Sequence, residues 1–207
     1  APESVPGTPN AGPAVHSLGA IWGGTTTVVD FAPVPNEGDL AAGIHDYLKP
    51  WQGNAYTDYS THCIYRNQNT PDSIARYKEL VDAGFPSVKI FTTNIRPPTA
   101  EGTTLTPIGK IDTGRMGDLM EQIGRHGGVL AVHGEDDELV MYNYLLAQQR
   151  GLWDWYNVHL IHSKAVEDLA FRHVVRLAQR TGVGMYFVHV TAQDGLDVIS
   201  EARAAGM

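Results

Sequence analysis

Three polar residues stand in apolar runs where a buried strand would ordinarily carry valine: Lys89 in SVKIF, His133 at the end of LAVH, and His189 in MYFVH. Lysine is the most demanding of them, because taking an ammonium out of water costs far more than a strand position gains. Burial favours the neutral amine, and a neutral amine is a nucleophile. Such an amine can capture carbon dioxide and become a carbamate, an anion whose two oxygens can bridge two metal ions. Imidazole nitrogens and carboxylate-like oxygens suit zinc, and also manganese or cobalt. The competing reading is structural: a lysine whose stem packs while its ammonium reaches water at the strand end, and histidines that are hydrogen-bonded core residues.

Each of these residues needs an element to aim it. Five short apolar or β-branched runs, 25–31, 58–65, 87–93, 128–134 and 184–191, alternate with stretches of helical character. That alternation predicts βα units and a parallel sheet. The clearest helix is TPDSIARYKELVDAG, 70–84. Thr70 is its candidate N-cap, Pro71 takes the first helical position, Ile74, Tyr77, Leu80 and Val81 share an apolar face, and Gly84 marks the exit. Further helices are expected over 14–24, 39–49, about 113–126, 137–151 and 163–182, and from near Ala192 onward. His133 and His189 lie toward the carboxyl ends of their runs and Lys89 lies within its own; parallel α/β folds gather their sites at those ends, so one mouth is expected to hold all three. No GxGxxG or GxxxxGK[ST] follows any of the runs, which leaves a nucleotide-phosphate cradle unsupported.

Composition narrows the class. With 207 residues, 43% of them hydrophobic and 18% charged, the chain can bury the core of one domain. The balance of 15 Lys and Arg against 23 Asp and Glu, with no basic block, makes nucleic acid and anionic membrane poor partners. Cys63 is the one cysteine, which rules out an internal disulfide and a thiolate zinc site and fits a reducing, cytoplasmic setting. No apolar run reaches the roughly 20 residues of a membrane-spanning helix.

Taken in order, TTTVVDFA, DYSTHC, SVKIF, AVHGED and YFVHVT resemble the cyclic amidohydrolases, the hydantoinase and dihydropyrimidinase group, over nearly the whole chain. The resemblance implies an α/β fold of the (β/α)8 TIM-barrel type, with residues 1–207 forming a partial barrel domain and the five runs serving as strands 2 to 6. It implies that Lys89 is carboxylated and bridges two divalent ions, zinc first among them, and that His133 and His189 bind one of these ions. The implied activity is metal-dependent hydrolysis of a cyclic amide such as a hydantoin or dihydropyrimidine. The implied partners are that small substrate and further copies of the chain in a dimer or tetramer. An alternative within the same family is a non-catalytic scaffold that keeps the barrel and loses ligands, and outside it a plain α/β domain.

Several positions depart from the family pattern. Its first-strand His-x-His pair and its late metal-binding, proton-shuttling aspartate have no counterpart, since His16 lacks a second histidine two positions away. Both are expected beyond residues 1 and 207, so this segment alone is expected to bind metal poorly and to be inactive. Five positions after Lys89 the family tends to place a tyrosine that holds the oxyanion; Asn94 stands there, with its amide N–H as the expected substitute donor. The connection 94–112 looks long and could be a lid or an oligomer contact. Glu135, Asp136 and Asp137 form an acidic cluster that could orient a ligand histidine or lie in solvent. His159 and His162 are expected to be structural, Asp58 and His62 to be core hydrogen-bonding groups, and Trp153, Trp155 and Tyr156 to serve packing or a subunit contact.

Overall fold

The computed structural model describes residues 12–94, 109–152 and 154–207. After helix α1 (Gly12–Trp22) come strand β1 (Thr27–Pro33), helix α2 (Leu40–Leu48) and strand β2 (Asp58–Ile64). Two short helices, α3 (Pro71–Ala75) and α4 (Tyr77–Asp82), lead into β3 (Ser87–Phe91), and α5 (Thr113–His126) into β4 (Val129–His133). Helices α6 (Asp137–Gln149), α7 (Val158–Ile161) and α8 (Lys164–Thr181) precede β5 (Gly184–Phe187), and α9 (Gln193–Ala204) follows it. The five strands form one parallel sheet in sequential order, β1-β2-β3-β4-β5.

Local chemistry explains why several helices start where they do. Thr70, Asp112 and Asp136 each cap a helix by accepting the backbone N–H three residues on, satisfying a donor the first turn leaves unpaired. The expected helix over 70–84 is instead two pieces: at Arg76 (φ −87°, ψ 8°) the backbone leaves the helical region, its N–H shared between the Asp72 and Ile74 carbonyls. The guanidinium of Arg76 meanwhile reaches across to the Gly38 carbonyl and to Glu79. The run expected to be a strand through Thr191 ends at Phe187.

The two faces of the sheet have different tasks. Ala32, Cys63, Val88, Ile90, Leu130 and Val132 alternate onto one face and are almost completely buried against the helical layer. The opposite face carries Phe31, His62, Lys89, Phe91, His133 and Tyr186, as the period of two requires. This second face is concave. His62 on β2 and Tyr186 on β5 lie three strand spacings apart, about 14 Å in a flat sheet, yet His62 Nε2 and the Tyr186 hydroxyl are 3.1 Å apart. Only strong curling brings those side chains together, which is the geometry of a barrel wall.

Asp58, expected in the core, is exposed at the start of β2. Trp155 and Tyr156 are 85% and 72% exposed, so neither packs in the core of this chain; Trp153 and residues 95–108 of the long connection lie outside the described residues.

Candidate functional site

Lys89 sits mid-strand on β3, its residue 3% exposed and its Nζ without a hydrogen-bond partner. The nitrogen lies 4.4 Å from the centre of the Phe91 ring. Burial pushes its pKa down to about 7, so near neutral pH a large share of the amine is unprotonated. It does not snorkel to solvent.

His133 closes β4, cross-strand from Phe91, and its ring is 5.4 Å from the Phe91 ring. Its Nδ1 is 2.8 Å from Nε2 of His189. His189 follows the end of β5, and among the described residues it is the one non-glycine with positive φ, 37°. That backbone conformation is costly for a side chain with a Cβ and is found most often where neighbours over-determine it. Glu167 on α8 is such a neighbour: its buried carboxylate accepts from the Thr191 N–H, the Thr191 hydroxyl and the Ala192 N–H. Burial, then the neighbouring charges of His133 and Lys89, hold the His189 pKa below the usual imidazole range. Lys89, His133 and His189 therefore face one space at the carboxyl end of the sheet, on its concave side.

Two residues of the acidic cluster turn inward. Glu135 places Oε2 2.7 Å from His133 Nε2 and Oε1 2.6 Å from His162 Nδ1. Burial alone would raise its pKa, but the hydrogen bonds from the two imidazoles outweigh this and hold it at about 2. Asp137 gathers the Asn94 backbone N–H, Asn94 Nδ2, the Thr93 hydroxyl and Lys110 Nζ. Asp136 is spent on capping α6.

Asn94 is 7% exposed. The amide nitrogen expected to serve as a donor is engaged with Asp137, and the atom left without a partner is Oδ1. The carboxylate decides this orientation, since a carbonyl oxygen turned toward it would be repelled. His62 is held between Ser87 Oγ, 2.9 Å, and the Tyr186 hydroxyl, and burial followed by the charge of Lys89 lowers its pKa. His159 makes a local contact with the Tyr156 carbonyl. His162, expected to be structural, lies one carboxylate away from His133. The signal for it in the sequence was weak, because 27 residues separate His162 from Glu135. Among the described residues, no three His, Cys, Asp or Glu side chains are arranged as a group that could hold a metal ion; what converges is two imidazoles beside an amine.

Comparison with known proteins adds the context of this geometry. Over 188 residues the chain is 28% identical to the D-hydantoinase of Streptomyces coelicolor, an alignment covering 91% of the chain and 38% of that protein. The chain is thus similar in sequence to proteins named D-hydantoinase. An allantoinase of Streptomyces avermitilis is 27% identical over 137 residues, covering 66% of the chain and 28% of that protein. The crystal structure of dihydropyrimidinase from Brevibacillus agri superposes with a TM-score of 0.82 at 21% identity, covering 94% of the chain and 40% of that structure. At this identity the superposition speaks to fold, and it agrees with the curled parallel sheet described above. The chain thus spans about two-fifths of the length of the first curated relatives it matches. No family model matches it.

Proposed function

We propose that the protein carrying this chain hydrolyses a cyclic amide with the aid of bound divalent metal, and that Lys89, His133 and His189 are the donors this chain contributes. The supporting observation is the buried, unpartnered Nζ of Lys89 beside two imidazoles in direct contact. The relatives named D-hydantoinase and allantoinase lend the reaction class.

The residues suit such a metal in kind. Imidazole nitrogens are good ligands for zinc, and an orphaned amine with a pKa near 7 can react with carbon dioxide: its lone pair forms the N–C bond, one N–H proton leaves to solvent, and an anionic carbamate remains. That product gives the buried nitrogen position a charge that cations would stabilise, whereas an ammonium there has no hydrogen-bond acceptor and only the face of the Phe91 ring beside it. When bound, a metal pair would supply hydroxide near neutral pH and polarise the amide carbonyl.

The chain's own residues would orient the ring. Asn94 Oδ1, buried and unpaired, is built to accept, so it would receive a ring N–H rather than stabilise an oxyanion. Asp137 would hold the amide in that orientation through Nδ2 and the backbone N–H. The neighbouring apolar ring of Phe91 would keep water from the amine and sustain its lowered pKa.

Elemental analysis of the purified full-length protein tests the reading. About two divalent ions per chain are expected, falling with activity in Lys89→Ala and partly restored by small carboxylic acids. Equal metal content in the wild type and Lys89→Ala would overturn it.

A further inference from the structure

We infer that Glu135, backed by His162, is a positioning residue that decides which nitrogen of His133 is free to bind a ligand. The inference rests on the metal reading above only for what His133 binds; the arrangement of protons belongs to the chain alone.

An ionised carboxylate can only accept hydrogen bonds, so both imidazole nitrogens that face Glu135 carry hydrogens. At His133 that hydrogen sits on Nε2, 2.7 Å from Oε2. The neutral ring then has its lone pair on Nδ1, the nitrogen 2.8 Å from His189 Nε2. At His162 the hydrogen sits on Nδ1, 2.6 Å from Oε1, which makes Nε2 the acceptor for the Tyr144 hydroxyl at 3.2 Å. Burial, then the charge of Glu135, raises the pKa of Tyr144, so the phenol keeps the proton it donates.

The donors therefore run in one sense. Tyr144 donates to His162, His162 and His133 both donate to Glu135, and the lone pair of His133 is directed at His189. Glu135 cannot turn away from His133 without also leaving His162. Its backbone is held as well: the Glu135 N–H donates to Thr92 Oγ1 at 2.8 Å, and that hydroxyl donates to the Glu135 carbonyl at 2.7 Å. A carboxylate accepting from the far nitrogen of a ligand histidine sets ring orientation and tautomer, and its loss typically weakens metal affinity about 10–100-fold.

Long-range 1H–15N correlation spectra of the metal-free protein read these tautomers directly. His133 is expected with its hydrogen on Nε2 and His162 with its hydrogen on Nδ1. Glu135→Gln replaces one accepting oxygen with a donating amide, so at least one of the two rings must change tautomer or lose its bond. Zinc affinity measured by calorimetry should fall about 10–100-fold in Glu135→Gln, and in the same direction in His162→Gln. A wild-type His133 bearing its hydrogen on Nδ1 would overturn the inference, and that reading needs no variant to fold. So would unchanged tautomers and zinc affinity in a folded Glu135→Gln protein. Fixed tautomers in a wild type that takes up no zinc would support the role of Glu135 and sink the metal reading instead.

Discussion

In metal-free, CO2-depleted buffer, Lys89 ties stability to pH. Its pKa falls from an ordinary 10.5 to about 7 on folding because burial disfavours the ammonium. Between those two values the unfolded chain binds the proton that the folded chain has released. Stability is therefore expected to rise as pH climbs from about 7 toward 10.5, by up to about 1.4 kcal/mol per pH unit. Below the folded value both states are protonated and this contribution is flat. Lys89→Met should abolish the rise and be more stable than the wild type at neutral pH, as urea titrations at several pH values would show. A slope unchanged in the variant would mean that Lys89 is not the titrating group. The anomaly of this lysine was legible in SVKIF because its cost is local to one strand position. The partnership of Glu135 with His162 was not, since it depends on how α7 docks beside the end of β4. Nor could the sequence show which end of the Asn94 amide is free, because Asp137 on a different element makes that choice.

At the scale of elements, periodicity and caps placed every strand and most helices. In the structure α5 is bounded by the Asp112 cap and by Gly127 in the left-handed region, and α8 ends at Gly182 in the same conformation, while Ser163 before it makes no side-chain capping bond. The exceptions have tertiary causes. Arg76 breaks the helix near 70–84 while its side chain bridges to another loop, and beyond the end of β5 at Phe187 the chain turns at His189, where φ is positive. Glu167 holds that turn with three accepted hydrogen bonds. Glu167→Ala leaves those donors unpaired and is expected to cost about 1.5–3 kcal/mol. Hydrogen exchange should quicken at Thr191 and Ala192 more than in β1 or β2. Uniform acceleration across the sheet would show instead that Glu167 supports only global stability.

Across the whole molecule, one cluster joins the sheet's outer face to α2, α4, α5 and α8, with Leu119 and Ile123 fully buried at its centre. Leu119→Ala should therefore destabilise the fold by about 2–5 kcal/mol, with exchange quickened in all five strands together. Trp155→Ala, at an 85% exposed position, should change stability by no more than about 0.5 kcal/mol. Thermal unfolding of the two variants separates these outcomes, and equal losses would contradict the layering described here.

The amino-acid sequence alone determined the parallel α/β class, the positions of the five strands and the presence of an uncomfortable lysine, because each follows from local propensity and the burial cost of single residues. Only the tertiary structure decided that the sheet curls far enough to bring β2 to β5, that His162 stands behind His133, and that Asn94 presents an oxygen. Those outcomes are set by contacts between elements distant in the chain, whose geometry no local pattern encodes.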